Sequence, residues 1–97
     1  MREDLKSAEH QIKIHNYPNP FNSSTIINFK LKNNSSQNNL AIYNLKGELI
    51  EELYSGSLTK GEHNFNWQTK SNLATGVYIV KLQTESSSYT RKLLYAK

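Results

Sequence analysis

The sequence has no cysteine, a single aspartate at position 4, and only four glycines among its 97 residues. Without cysteine, the chain cannot build a disulfide framework, a thiolate zinc site or a cysteine nucleophile. No run of 18 apolar residues occurs, which excludes a transmembrane helix. Residues 1–6 lack the apolar stretch of a secretory signal peptide, so we expect no such signal in them.

Catalytic and metal-binding patterns are also missing. His10, His15 and His63 do not have the spacing of a metal site, and no carboxylate motif accompanies them. Glu51 and Glu52 are neighbours on a predicted strand, so their side chains point to opposite faces and cannot work as an acid–base pair. The sequence has no G-x-S-x-G elbow and no glycine-rich phosphate loop. We therefore predict that the chain is not an enzyme and holds no metal or cofactor.

The charge is moderately basic and spread along the chain. Twelve basic residues against eight acidic ones give a formal net charge of +4, and no block of five like charges occurs. A dispersed charge of this size is typical of a solvated surface rather than of a nucleic-acid groove. We expect neither a nucleic-acid partner nor insertion into a membrane.

What the sequence does contain is an apolar pattern with a period close to two. This period indicates β-strands, and turn-forming Asn, Ser and Gly residues separate the segments that show it. Seven short strands separated by turns predict an all-β fold, an immunoglobulin-like antiparallel β-sandwich. The predicted strands are residues 11–16, 24–31, 40–45, 48–54, 63–67, 77–83 and 89–96. Residues 12–97 would form the domain and residues 1–11 a linker or tail.

The patterns also predict how some of these segments lie. Segment 77–83 is apolar on both faces, which favours a central strand, whereas the glutamates of segment 48–54 favour a sheet edge. Residues 33–39 and 55–61 are polar and predict loops. On the last strand Tyr89, Arg91, Leu93 and Tyr95 would share one face, opposite Thr90, Lys92 and Leu94. Its exposed edges predict a monomer or a weak dimer.

Several motifs occur together in one order along the chain. Residues 16–27 read Asn-Tyr-Pro-Asn-Pro-Phe-Asn-Ser-Ser-Thr-Ile-Ile, and residues 42–47 read Ile-Tyr-Asn-Leu-Lys-Gly. Lys60-Gly61-Glu62-His63 precedes Trp67, then come Gly76-Val77-Tyr78 and a basic-apolar end at residues 91–94. In this order the motifs resemble the type IX secretion C-terminal sorting domain of type A, also called the Por secretion system sorting domain. The family often has acidic residues after the tryptophan, but residues 68–72 carry none, which argues against a calcium site there.

The resemblance implies a secretion role. Such domains lie at the C-terminus of exported proteins of Bacteroidetes and related bacteria, covalently joined to an upstream cargo. The protein would pass through the periplasm and be recognised by the outer-membrane translocon. It would then be secreted or held at the cell surface, with a sortase-like surface protease removing the domain or exchanging it for an anchor.

The candidate recognition residues lie on the last strand, where positive charge stands beside apolar side chains. A terminal edge strand can pair with the sheet edge of a partner through its backbone. The recognition set is Arg91, Lys92, Leu93, Leu94, Tyr95 and Lys97. A second set, with structural or recognition roles, comprises the motif residues Pro18, Asn19, Pro20, Phe21, Asn44, Gly47, Trp67, Gly76, Val77 and Tyr78.

Two other functions remain open from the sequence. A carbohydrate-binding or adhesive module would use Tyr17, Tyr43, Tyr54 and Tyr89 in a flat aromatic row on one sheet face. A passive structural module would need no such surface. The fold by itself does not separate these functions from sorting.

Overall fold

The computed structural model describes residues 12–96, which form seven strands and no helix. The strands are β1 (His15–Tyr17), β2 (Ser24–Leu31), β3 (Ser35–Asn44), β4 (Leu49–Leu58), β5 (Gly61–Gln68), β6 (Gly76–Gln83) and β7 (Ser88–Tyr95). These residues contain no helix that is long and apolar enough to cross a membrane. The prediction of an all-β, seven-stranded immunoglobulin-like sandwich is confirmed.

The strands form two sheets that face each other. One sheet has the order β1-β2-β5 and the other the order β4-β3-β6-β7, and all neighbours pair antiparallel. The chain crosses between the sheets after β2, β4 and β5, so neither sheet forms from one continuous segment. Strand β4 lies at a sheet edge and β6 lies inside its sheet, as the sequence predicted.

The core lies between the sheets and is made by side chains at alternate positions of the strands. On β2, for example, Ile27, Phe29 and Leu31 point inward while Ile26 and Lys30 point to solvent. The same alternation runs along β6 and β7, whereas β3 buries three successive residues, Leu40, Ala41 and Ile42. Together these strands bury Leu40, Ile42, Tyr78, Val80, Leu82, Leu93 and Tyr95. Burial of this apolar surface is the main force that holds the two sheets together.

The predicted loops at 33–39 and 55–61 are wrong in extent, because only residues 33–34 and 59–60 of these ranges lie outside the strands. Strand β3 already begins at Ser35 and β4 continues to Leu58, which leaves only residues 59 and 60 between β4 and β5. The physical reason is the buried Asn38, whose Nδ2 donates to the backbone oxygens of Ser35 and Gly56, each at 3.0 Å. Residues with low strand propensity are thus held in the ladder by side-chain bonds to its backbone.

The first predicted strand is wrong in extent. Strand β1 has three residues, although Ile12 and Ile14 before it still pack against the core. The short strand is followed at once by Pro18 and Pro20, which lack the backbone donor that a ladder needs. Both prolines follow cis peptide bonds. The first residue of that prediction, Gln11, and the linker predicted for residues 1–11 lie outside the described residues.

We predict that Phe29→Ala lowers the free energy of unfolding by about 3–5 kcal/mol, because it leaves a cavity in the core. Phe29 has no exposed surface, and its ring stacks on Phe65 with 5.9 Å between centroids. Ile26→Ala, on the outward face of the same strand, is the matched control and should cost less than about 1 kcal/mol. Urea unfolding measures both changes, and equal losses would contradict this assignment of the core.

Candidate functional site

Three aromatic motif residues meet the C-terminal strand at one end of the core. The Phe21 ring lies between Trp67 and Tyr95, with centroid separations of 5.5 and 5.3 Å. Tyr78 completes the cluster, at 5.8 Å from Trp67 and 6.4 Å from Tyr95. Aromatic pairs at these distances and tilts stabilise a core beyond the area that they bury. The cluster therefore gives Phe21, Trp67 and Tyr78 a structural role.

Two polar groups of this cluster, the Trp67 indole and the Tyr78 hydroxyl, have hydrogen-bond partners. Trp67 Nε1 donates to Glu51 Oε1 at 3.2 Å, and the Tyr78 hydroxyl donates to the Ala74 carbonyl. Burial, together with the nearby Tyr95, raises the pKa of Tyr78 above its ordinary value of 10.0. The charged phenolate is thus disfavoured in the folded protein.

The segment that carries Pro18 to Phe21 lies against the outer edge of β7. Phe21 N donates to Leu94 O at 2.9 Å, and Ala96 N donates to Phe21 O at 2.8 Å. Asn19 Oδ1 accepts from Leu94 N at 3.1 Å, and Phe21 forms a parallel bridge with Tyr95. The backbone groups of Leu94 and Ala96 on this edge are therefore already satisfied within the domain.

A buried polar chain fastens the same segment from its other side. Arg91 Nε donates to Asn16 Oδ1 at 2.8 Å, and Asn16 Nδ2 donates to Thr25 Oγ1 at 3.3 Å. Thr25 Oγ1 in turn donates to Pro18 O at 2.8 Å. Asn16 and Thr25 are buried, and burial of such groups is favourable only when they are hydrogen-bonded.

Asn44 and Gly47 shape the turn between β3 and β4. Asn44 Oδ1 accepts from the backbone N of Lys46 and of Glu48, at 3.0 and 2.9 Å, and Gly47 N donates to Asn44 O at 3.0 Å. Gly47 has a φ of 87°, a conformation that residues with a side chain rarely adopt. Gly76, at the start of β6, has a φ of 145° for which the same preference holds. Gly47, Gly76 and Asn44 therefore have structural roles, because they allow or stabilise the local backbone conformation.

The predicted recognition residues of β7 divide between its two faces. Leu93 and Tyr95 are buried in the core, and Arg91 is half-buried on the same face, where it bonds to Asn16. Lys92 and Leu94 are exposed on the opposite face. Lys97 lies outside the described residues. The structure therefore separates a pair that contacts solvent, Lys92 and Leu94, from three residues that hold the strand in place.

Lys92 and Leu94 adjoin apolar side chains on the outer face of the four-stranded sheet. Val77 pairs with Leu94, and Ile79 pairs with both Lys92 and Tyr43. Tyr43 also pairs with Leu49, which is 59% exposed, while Leu94 is 42% exposed. We call this set the outer apolar surface: Tyr43, Leu49, Val77, Ile79 and Leu94. Leu49 and Leu94 are exposed and the other three side chains are half-buried. Contiguous apolar side chains that reach solvent are typical of interaction surfaces.

Part of the β7 edge remains open for backbone pairing. In an antiparallel ladder, alternate residues direct both backbone groups away from the neighbouring strand. The backbone N and O of Leu94 point away from β6. The backbone groups of Lys92, Thr90 and Ser88, at alternate positions before it, therefore also point away from β6. No backbone group within residues 12–96 bonds to these three from outside the ladder. The open edge therefore consists of the outward backbone groups of Ser88, Thr90 and Lys92, and the covered edge is residues 94–96.

The features expected of other functions are scattered. Tyr17 and Tyr43 lie on the outer faces of opposite sheets, while Tyr54 and Tyr89 pack against the core. These four tyrosines form no flat row, so the surface expected for carbohydrate binding is missing among them. Within residues 12–96 no three His, Cys, Asp or Glu side chains cluster as a metal site would require.

Sequence reasoning missed the roles of Asn16 and Thr25. A signal for Asn16 was present, because it continues the alternation of Ile12 and Ile14 and so falls on the inward face. For Thr25 the equivalent signal is its spacing of two from Ile27. Their partners could not be found this way, since Arg91 lies 75 residues from Asn16 along the chain.

We predict that Arg91→Met destabilises the domain by about 1–3 kcal/mol, because it leaves the buried Asn16 oxygen without its donor. Lys92→Met, the matched control on the solvent face, should change stability by less than about 0.5 kcal/mol. A double-mutant cycle with Asn16→Ala, measured by urea unfolding, should show coupling between positions 91 and 16. Additive losses would contradict the proposed bond.

Alkaline pH should destabilise the domain through Tyr78. The protonated Tyr78 hydroxyl stabilises the folded state. Because its folded-state pKa is raised above 10.0, this stabilisation is complete below pH 10 and is lost as pH rises through the folded-state pKa. Tyr78→Phe should be less stable than the native chain at pH 7, by about 1 kcal/mol for the lost hydrogen bond. The difference should narrow at about pH 11. Urea unfolding at both pH values tests this, and a constant difference would contradict it.

Comparison with known protein families gives an independent result. The model of one family, the secretion system C-terminal sorting domain, matches residues 15–96. No curated protein matches the chain significantly. The matched region covers all seven strands and includes the motif residues of the aromatic cluster, of the Asn44–Gly47 turn and of the segment that lies on β7. The chain therefore belongs to the family of type IX secretion C-terminal sorting domains.

Proposed function

We propose that this chain is a sorting signal that directs a covalently linked upstream cargo through the type IX outer-membrane translocon, and that the signal is read on β7. Membership in the family supports the coarser part of this function: a non-catalytic domain attached to a cargo that is exported to the cell surface or secreted. Periplasmic transit, and later removal or exchange by a sortase-like surface protease, complete the proposal.

The observation that supports recognition of β7 by the translocon is the outer apolar surface, with Lys92 beside it. This face of the four-stranded sheet is the one to which Lys92 and Leu94 point. Next to them Lys81 Nζ lies 5.8 Å from the centroid of the Tyr43 ring. A partly exposed apolar centre with cations at its rim matches the composition of protein interfaces, whose rims are polar.

The open edge at residues 88–92 offers the partner a second means of binding. A strand of the translocon could pair there through its backbone, while Lys92 and Leu94 provide side-chain specificity. Arg91, Leu93 and Tyr95 contribute indirectly, because their bonds and packing hold β7 in register. This division of roles makes the two faces of β7 separable by mutation.

Localisation of a reporter tests the proposal. A periplasm-directed fluorescent protein is fused upstream of residues 1–97 and expressed in a bacterium with the type IX apparatus and in a strain without the translocon. We expect export only in the competent strain. Periplasmic retention of the fusion in both strains would overturn the sorting function itself.

The same assay tests the reading on β7. The pair Lys92→Glu and Leu94→Asn should reduce export at least tenfold, whereas Ile26→Asn with Lys70→Glu, which changes one exposed apolar and one exposed basic residue elsewhere, should leave it unchanged. The unfolding midpoints of both variants show whether the fold is retained. Normal export of the folded β7 variant would overturn the recognition surface while leaving the sorting function in place.

A further inference from the structure

The outer face of the three-stranded sheet, away from β7, carries a second feature that the sorting function does not use. An open cleft of about 650 Å³ lies there, at the end where β2 meets β5. Four of its lining residues are lysines: Lys13, Lys30, Lys32 and Lys60. We call this feature the lysine cleft.

Strand pairing brings these lysines together from distant parts of the sequence. Lys30 on β2 pairs with Glu62 on β5, and Lys32, the residue directly after β2, lines the same cleft. Lys60 directly precedes Gly61, which pairs with Leu31. Lys13 lies two residues before His15 on the neighbouring strand β1. The four side chains thus surround one short stretch of β2.

The charge of the lysine cleft is unbalanced. All four lysine side chains are exposed, and Glu62 is the only carboxylate among the lining residues within 12–96. Glu62 Oε2 already accepts from Asn28 Nδ2 at 2.9 Å. Like charges held side by side on a sheet are unfavourable, and a bound anion relieves that repulsion. The cleft therefore has the electrostatics of an anion-binding surface.

The spacing of the lysines and the types of lining residue indicate which class of anion fits the cleft. Lys30 lies on β2 and Lys32 is the residue directly after its end, and because Leu31 between them is extended, their attachment points lie roughly 6.6 Å apart. An extended peptide with acidic residues at alternate positions repeats its carboxylates at the same interval. Apart from the imidazole of His15, the described lining residues include no aromatic ring, which is the platform that single-stranded nucleic acids use for stacking. They also include no arginine, whose planar fork favours bidentate binding of phosphate.

We propose that the lysine cleft binds an acidic segment of a partner protein in extended conformation, with alternate carboxylates over Lys30 and Lys32 and further contacts to Lys13 and Lys60. The interaction is electrostatic and weakens as salt rises. It stands on a different face from β7 and does not depend on the sorting function.

Fluorescence anisotropy with labelled peptides tests the proposal on the 97-residue chain. The probe is a twelve-residue peptide of alternating Glu and Ser, compared with a peptide of the same composition in which six Glu precede six Ser. We expect the alternating peptide to bind at least threefold more tightly. Replacing Lys30, Lys32 and Lys60 by Gln should weaken its binding at least tenfold, since each exposed pair contributes about three- to fivefold.

Two controls separate the cleft from net charge. Replacing Lys46, Lys70 and Lys92 by Gln removes the same charge elsewhere and should change affinity less than twofold. Glu62→Gln should tighten binding about threefold, because it removes the repulsive carboxylate but keeps an oxygen that can accept from Asn28. An increase in affinity cannot come from misfolding, and the unfolding midpoint of each variant shows whether it is folded.

Four results would overturn the proposal: no binding of the alternating peptide at low salt, equal binding of both peptides, equal losses in the two triple variants, or tighter binding of a competing polyanion at the same lysines. Heparin and oligo-dT are the competitors, and they represent sulfated glycans and single-stranded DNA. Displacement of the peptide by either one at lower concentration would assign the lysine cleft to that class of ligand instead.

Discussion

The attachment of residues 16–21 to β7 is the contact on which the rest of this structure depends. Phe21 inserts its ring between Trp67 and Tyr95, and its backbone pairs with Leu94 and Ala96. Because β1 and β7 belong to different sheets, these bonds join the edges of the two sheets and close one end of the sandwich. The bond from Arg91 to Asn16 makes the same connection through buried polar groups, so that apolar packing and hydrogen bonding favour one register of β7.

This attachment also gives the two faces of β7 different surroundings. The inward side chains of Arg91, Leu93 and Tyr95 hold the strand in place, and the outward ones, Lys92 and Leu94, are exposed to solvent. The outer edge of β7 also has two parts. Asn19 and Phe21 cover its last residues, and the outward backbone groups of Ser88, Thr90 and Lys92 remain open. Covering part of the edge shortens the stretch with which another chain could pair, and a long open edge leads to aggregation.

The two outer faces of the sandwich differ in chemistry, which supports separate partners. The four-stranded sheet presents apolar side chains near Lys92, whereas the three-stranded sheet presents the lysine cleft and a row of polar side chains. Asn28 illustrates the second face, as its Nδ2 bonds to Glu62 and to Asn64 Oδ1 at 2.9 and 2.8 Å. A surface of this kind is favourable in water and binds charged groups, while the apolar surface favours a partner that excludes water.

The sequence by itself determined the all-β class, the central place of β6, the edge position of β4 and the alternation of faces along β7. These follow from a local period of two, which one strand expresses without its neighbours. Only the tertiary structure decided that Asn38 draws the segment before residue 40 into a strand, that Arg91 is bound to Asn16 rather than free, and that four lysines from three segments share one cleft. The physical reason is that register and pairing depend on contacts between residues far apart in the chain, and the local pattern of one strand does not contain them.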